Sequence, residues 1–337
     1  PIIGPGPEPL MFEDKAEFRR RQLAAAFSIE DLEMVLHPMV DDAKEPVGSM
    51  GDDAPLAVLS QTYRPLSHYF RQNFSQVTNP PIDSLREDRV MSLRTRFRNL
   101  GNVLAQDKTQ TEVFTLESPV ISTGMYIRMK DHLSGRFFEI DCIFDVGSDG
   151  PKEGALQAAL AHICKQAEDA VASGYSHLIL TDERVGPHVA AIPMILATGA
   201  VHSHLIKTRM RTFTSINVRS AECMDTHYFA VLIGVGATTV NAYLAQECIA
   251  DRHARGLFGK RGLGECVKRY LDCVDAGLLK IISKMGISVI SSYRGAYNFE
   301  AVGLSRSMVA EYFPGMPSRI SGIGLGGIQK RAYRNHV

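Results

Sequence analysis

Residues 137–182 read FFEIDCIFDVGSDGPKEGALQAALAHICKQAEDAVASGYSHLILTD and give the clearest view of the fold. Residues 138–144 alternate as a strand, residues 154–173 are rich in Ala with a helical period, and residues 176–181 form a short apolar strand ending at Asp182. A strand, a helix and a second strand in this order predict a β-α-β unit whose two strands run parallel in one sheet.

The same alternation continues through the second half of the chain. The sequence predicts further elements of both kinds: strands at residues 212–218 and 287–292, and helices at residues 189–198, 225–233, 240–255 and 266–285. Helices of this length between short strands predict a parallel sheet that is buried on both faces. We therefore expect an α/β domain with a rudimentary or incomplete (β/α) TIM-barrel-like arrangement, and a doubly wound open sheet is the alternative.

The beginning of the chain has a different texture of helix and loop. Ser28 and Asp31 form a capping signature for a short helix that runs to Leu36, because Pro38 should halt it. Residues 65–73 predict a second helix, with apolar side chains at helical spacing.

Three parts of the chain follow from these textures. Residues 1–116 are expected to form a helix-and-loop segment, and residues 117–327 the β-α repeat of a partial barrel. Residues 328–337 are expected to be a linker towards a further domain. The chain starts with Pro1 instead of Met, which suggests that it was cut from something longer.

Composition excludes several classes of function. The 337 residues include 37 basic and 37 acidic side chains, so no net field recruits nucleic acid or an anionic membrane. No run approaches the roughly 18 uninterrupted apolar residues that span a bilayer. The six cysteines are scattered without a C-x-x-C pair, which is typical of buried thiols in a reducing compartment, so we expect a cytoplasmic protein.

Several separate motifs resemble one known family. They are SMGDDAPLAVLSQTYRPL at residues 49–66, FSQVTNPPIDSLRE at 74–87, HYFAVLIGVGA at 227–237, GLLKIISKMGIS at 277–288, and SYRGA at 292–296 with FEAVGL at 299–304. In this order they are similar to the central domain of glutamate synthase, from about Leu32 to Gly327. Ala54, Ala242, Tyr297 and Asn298 depart from the family pattern and put only local contacts in question.

The resemblance implies a rudimentary relative of the flavin-binding barrel that follows it in the family. There, an amidotransferase domain frees ammonia from glutamine, and the ammonia travels through an internal channel. An FMN-binding synthase domain, fed through an iron–sulfur cluster, then converts 2-oxoglutarate to glutamate. The chain would be the connecting domain between these two and help to form the channel. It would have no catalytic residue and no cofactor or metal of its own. The sequence leaves open whether electrons come from ferredoxin or from a small NADPH-oxidising subunit.

Candidate channel or interdomain residues come from the same motifs. Asp52 and Asp53 lie between Gly51 and Pro55, where acids cap a turn or meet another domain. Thr62, Thr78 and Asn79 are uncharged, and Thr78 and Asn79 precede two prolines that stiffen the loop. Such groups suit a passage for neutral ammonia, because an acid would capture it as ammonium.

Other patterns leave alternatives open. Residues 322–327 read GIGLGG, which fits a phosphate-binding G-x-G-x-x-G but more simply a flexible linker. His202 and His204 would share one face of a strand, at a spacing that metals accept. Asp182 and Glu183 end a strand, where barrel enzymes place catalytic groups, although Asp182 could instead cap the helix near Val189 or the loop before it.

Two further classes of function therefore stay in view. The first is a free-standing βα-barrel enzyme that binds a phosphate-bearing cofactor such as FMN. The second is a module that binds an amino acid or oxo acid, for which the sequence offers no feature.

Overall fold

The computed structural model describes residues 14–46, 55–73, 87–97, 104 and 114–336. Asp52, Asp53, Thr78 and Asn79 lie outside these described residues. The helices and strands of the N-terminal segment are α1 (Lys15–Ala24), α2 (His37–Asp41), β1 (Phe70–Gln72), α3 (Glu87–Val90), β2 (Thr95–Phe97) and β3 (Phe114–Leu116).

The capping signature predicted at Ser28 forms, but the helix does not end where expected. Ser28 Oγ accepts a hydrogen bond from Asp31 N at 3.0 Å, and Asp31 Oδ2 accepts one from Ser28 N at 2.9 Å. The chain then runs through a π-helical stretch, Asp31–Leu36, directly into α2. The prediction that Pro38 halts the helix is wrong, since Pro38 lies in the first turn of α2, where a missing N–H costs nothing.

The helix predicted at residues 65–73 is only partly present. One 3₁₀ turn, Leu66–Tyr69, leads into β1, which pairs antiparallel with a late strand of the chain at Phe70↔Ala301. Pairing with a partner far away in sequence outweighs the local helical period here. The N-terminal segment is thus joined to the main domain by strand pairing.

The β-α part contains α4 (Thr123–His132), β4 (Phe137–Asp141), β5 (Ile143–Asp145), α5 (Ala155–Ala172), β6 (His177–Thr181), β7 (Val189–Ala191), α6 (Met194–Lys207), β8 (Ser215–Arg219), α7 (Thr226–Gly234), β9 (Thr239–Asn241), α8 (Tyr243–Ala254), α9 (Leu263–Lys284), α10 (Ile290–Tyr293), β10 (Phe299–Leu304), α11 (Arg306–Tyr312), β11 (Ile320–Ile323) and α12 (Leu325–His336).

A four-stranded parallel sheet with the order β4-β6-β8-β9 organises this part. Helices α5, α6 and α7 make the successive crossovers, and the register aligns Asp141, Thr181, Arg219 and Asn241 at one edge. Consecutive strand order with crossovers of one hand places the helices on one face, as in a (β/α) barrel, whereas a doubly wound sheet reverses its order. The four strands do not close within the described residues, so the predicted incomplete barrel is confirmed.

Three predicted elements differ in the structure over part or all of their length, two of them because of non-local strand pairing. The helix predicted from residue 189 starts with β7, which pairs antiparallel with β5, and only becomes helical at Met194. The helix predicted from residue 240 likewise starts in β9, which pairs with β8. The strand predicted at residues 287–292 is wrong: Val289 makes one isolated bridge to Ser92, and the chain then turns into α10.

The two faces of the parallel sheet are covered differently. Leu178, Leu180, Ile216 and Val218 point into the main apolar core that the crossover helices share. The opposite face would line the interior of a closed barrel, and its Ile179 packs into a second cluster. That cluster comes from strand β3, α4 and their flanking loops: Phe114, Leu116, Ile121, Tyr126, Met129 and Leu133. The interior face is therefore covered by α4 and β3.

The glycine-rich residues 322–327 are ordered as the end of β11 and the start of α12. A Cβ on Gly322 would collide with the carbonyl oxygen of Gly303 on the neighbouring strand β10, so close strand packing accounts for this glycine. Helix α12 packs on the domain, since Gln329 accepts a hydrogen bond from Leu156 N at 2.9 Å and donates one to Lys152 O at 2.9 Å. Residues 322–327 are thus part of the folded domain and do not form a flexible linker.

Candidate functional site

Asp182 follows β6 at the carboxyl edge of the parallel sheet and is 1 % exposed. Its two carboxylate oxygens accept the backbone N–H of Ala221, which follows β8, at 2.8 and 3.1 Å. The prediction that Asp182 caps the next helix is wrong, because β7 intervenes before α6 begins. Asp182 instead joins the loops after two neighbouring strands.

Burial raises the pKa of Asp182 to about 7, and the hydrogen bond from Ala221 N offsets part of this effect. The Tyr243 hydroxyl is close enough to lower this pKa slightly, although the two groups do not reach hydrogen-bonding geometry. A carboxyl with this pKa exchanges its proton near neutral pH. General acids, general bases and carboxyls that bind a cation share this property.

Glu222 is a second buried carboxyl beside Asp182, and sequence reasoning missed it. Tyr63 Oη donates to one of its oxygens at 2.7 Å, and Tyr228 Oη donates to the other at 2.6 Å. Burial raises the pKa of Glu222, and the two tyrosine hydroxyls hold it down. Its place in the loop after a predicted strand was a usable signal, but Tyr63 comes from the N-terminal segment.

Glu183 also lies at this edge and pairs with Arg219, the last residue of β8. Arg219 Nε lies 2.8 Å from Glu183 Oε2, and Arg219 also binds Asn241 Oδ1. Its guanidinium sits between the rings of Tyr126 and Tyr243, at 4.6 and 4.7 Å from their centroids. This arginine fixes α4 against the sheet.

A small cavity of about 30 Å³, here called the inner cavity, lies against these carboxyls and has room for about one water molecule. Asp182, Glu222, Tyr63 and Tyr243 line it. A groove of about 600 Å³, the outer groove, lies beside it. The two share lining residues, namely Arg21, Ala24, Val185, Asn335 and His336. The inner cavity is therefore the floor of the outer groove.

Of the residues expected at a channel or interface, Thr62 is the one that lies in the described part of the chain. It is exposed, and its hydroxyl lies 3.0 Å from Ser60 Oγ. Its neighbour Tyr63 lines the inner cavity. The roles of Asp52, Asp53, Thr78 and Asn79 stay predictions.

The two histidines lie on helix α6, so their predicted place on one face of a strand is wrong. Positions two apart on a helix point in different directions. His202 Nδ1 accepts from Arg211 Nε at 2.9 Å, and His204 Nε2 lies 2.8 Å from Glu168 Oε2. Within the described residues, no group of three or more His, Cys, Asp or Glu side chains could hold a metal. None of the described helices is long and apolar enough to cross a membrane.

The fold defines an α/β domain of the barrel type, in which a helix and a strand cover the face that would enclose a barrel interior. Residues 20–305 match the family described as glutamate synthase central domain, and the chain belongs to this family.

Curated relatives agree with this assignment. The chain is 64% identical over 324 residues to the glutamate synthase [NADPH] large chain of Azospirillum brasilense, covering 96% of this chain and 21% of that one. It is 38% identical over 336 residues to the corresponding chain of Bacillus subtilis (strain 168), covering 99% and 22%. It is 42% identical over 323 residues to ferredoxin-dependent glutamate synthase 1 of Arabidopsis thaliana, covering 92% and 20%. The chain thus spans about a fifth of these relatives.

Among solved structures, a mutant flavocytochrome b2 with benzoylformate matches 84% of this chain and 91% of its own, at 12% identity and a TM-score of 0.40. A score this low carries no weight for the fold.

Proposed function

We propose that this chain is the connecting domain of a glutamate synthase polypeptide, placed between an amidotransferase domain and an FMN-binding synthase domain. It braces these two domains and contributes wall to the passage through which ammonia moves between them. Its own residues do not carry out the chemistry. Family membership over residues 20–305, together with coverage of about a fifth of the relatives, supports a part within a larger enzyme.

The filled interior face is the observation that carries a bracing role. In a barrel enzyme, cofactor and substrate bind at the carboxyl ends of the strands, above a closed interior. Here α4 packs its Tyr126 and Met129 against the sheet, and the Arg219 guanidinium lies against the Tyr126 ring. This packing makes the sheet rigid and takes up the face that a full barrel would enclose.

The passage itself is proposed to use Thr62, Thr78 and Asn79, with Asp52 and Asp53 at a domain interface. Hydroxyl and amide groups offer hydrogen bonds to ammonia without binding its charged form tightly. A carboxylate in the passage would instead favour ammonium, which is too strongly hydrated to move through a dry path. Uncharged polar residues on a stiff loop meet both requirements.

A double substitution, Thr78→Val with Asn79→Leu, in the full polypeptide tests this proposal. We expect glutaminase activity to persist, while the ratio of glutamate formed to glutamine hydrolysed falls and free ammonia appears in solution. Thr212→Val, at an exposed threonine outside these motifs, is the matched control and should leave the ratio unchanged. If this ratio is unchanged in the double variant, Thr78 and Asn79 do not line the passage.

FMN and the iron–sulfur cluster are proposed to belong to other parts of the polypeptide. The relatives include both NADPH and ferredoxin-dependent enzymes, at 38% and 42% identity for two of them. The same connecting domain therefore serves both electron sources, and a small NADPH-oxidising subunit would be a partner only in the first type.

The alternative, a free-standing enzyme that binds FMN, predicts a flavin bound by this chain alone. Strand packing already accounts for Gly322, and a Cβ on Gly327 would press on Ile323. A fluorescence titration with FMN separates the two proposals. Saturable one-to-one quenching of the fluorescence in this titration would favour the free-standing enzyme. If no quenching is measured, the connecting domain is favoured.

A further inference from the structure

The outer groove has a charge arrangement that the connecting role does not use. Its rim carries Arg20, Arg21 and Arg334. Glu17, the one acid among its lining residues in the described chain, forms ion pairs with Arg20 and Arg21, so the rim keeps a net positive charge. Arg21 reaches both the groove and the inner cavity, while Asp182 and Glu222 lie at the floor. Positive charge at the rim and carboxyls at the floor therefore line two adjoining spaces that have Arg21 in common.

The dimensions of this space suit a small ligand. The outer groove of about 600 Å³ falls within the roughly 300–1,000 Å³ of small-molecule sites. The inner cavity of about 30 Å³ takes a group the size of one water molecule or one ammonium group. It also lies at the carboxyl edge of a parallel sheet, where barrel and α/β proteins bind their ligands.

A third observation at the floor is the Tyr243 hydroxyl. Tyr243 is 0 % exposed and lines the inner cavity, and its hydroxyl lies near Asp182 but makes no hydrogen bond of good geometry to any of the described residues. A buried hydroxyl without a partner is costly and rare in folded proteins. An N–H donor placed in the inner cavity would satisfy this oxygen and the Asp182 carboxyl together.

We propose that the outer groove and the inner cavity bind a free amino acid, with its carboxylate at the arginines of the rim and its ammonium group towards Asp182, Glu222 and Tyr243. A simple anion would meet the rim but not the acidic floor. A metal cation would find two carboxyls among the described residues that line the inner cavity, and the arginines of the rim would repel it. A zwitterion is complementary to both ends. This site does not depend on the proposed ammonia passage.

Hydrogen–deuterium exchange on the full polypeptide that contains this chain locates such binding. Millimolar L-glutamate is the zwitterionic probe, glutarate is the same carbon chain without the amine, and methylammonium carries the amine alone. We expect L-glutamate to slow exchange in the segments 182–187 and 331–336, which line the groove. Glutarate and methylammonium at the same concentration should slow neither segment.

Variants separate this site from any other amino-acid site in the polypeptide. Tyr243→Phe removes only the unpartnered hydroxyl and should raise the L-glutamate concentration for half-maximal protection by about five- to tenfold. Asp182→Asn should raise it further. Asp275→Asn is the matched control, because Asp275 is another buried carboxyl whose pKa burial raises to about 7, and it lines neither space.

Three results would overturn the proposal. The first is protection by glutarate equal to that by L-glutamate, which would mean an anion site at the rim alone. The second is no protection of either segment in the unaltered protein, and the third is an unchanged protection curve in Tyr243→Phe. An unchanged curve would show that the inner cavity takes no part in binding.

Discussion

The buried Asp182 carboxyl makes the stability of the domain depend on pH, and Asp182→Asn isolates this dependence. In the folded chain, burial raises the pKa of Asp182 to about 7, against an ordinary value of 3.8. The folded state thus holds this proton more tightly than the unfolded chain does. Its stabilising effect is present at low pH and is lost as pH rises from about 4 to about 7.

The magnitude follows from about 1.4 kcal/mol for each pH unit. Between pH 5 and pH 8 the unfolded chain has already lost the Asp182 proton, while the folded chain gives it up only near pH 7, so about 3 kcal/mol of stability disappears. Asn does not titrate, and it retains one acceptor for the N–H of Ala221. We expect Asp182→Asn to be about 1 kcal/mol less stable than the unaltered chain at pH 5 and about 2 kcal/mol more stable at pH 8.

Urea unfolding of both chains from pH 5 to pH 8 measures this crossing. Asp275 titrates in the same range, but it is present in both proteins and cancels in the difference. Asp149→Asn, at an exposed aspartate, is the control and should follow the unaltered chain at every pH. A difference between Asp182→Asn and the unaltered chain that stays constant with pH would refute the reasoning, because it would mean that the carboxyl is hydrated and ordinary.

Two further predictions concern packing. Gly234→Ala should destabilise the domain by about 1–3 kcal/mol in urea unfolding, because the added Cβ would collide with the Phe299 ring; equal stability would show that the ring can move aside. The six cysteines are all buried free thiols, and burial raises the pKa of each, so a thiol reagent should label them only on unfolding. Rapid labelling of the folded chain at pH 7 would contradict this packing.

The sequence predicted the long, strongly periodic elements well. Helices α5 and α9 lie close to their expected bounds. Each has apolar side chains along one face, and this face becomes buried against the rest of the domain. The sequence pattern predicts helix over the short strands β7 and β9, because the strands that they pair with lie outside any local stretch of sequence.

The candidate site was visible only in part for the same reason. Asp182 was singled out from its place at the end of a strand, which is a local signal. Its setting was not, since Tyr63 lies 159 residues before Glu222, to which it donates a hydrogen bond. A cavity arises where distant segments meet, so the groove and its charge arrangement could not be read from the spacing of residues along the chain.

The arginine between two tyrosine rings also bears on how such a domain could change over evolutionary time. Arg219 ties Tyr126 of α4 to Tyr243 at the start of α8, so α4 cannot be lost by a single substitution without leaving a buried cation beside Glu183 with fewer neighbours. Reopening the sheet face would require α4, β3 and this arginine to change together. Each intermediate would carry an exposed apolar face or a poorly matched charge.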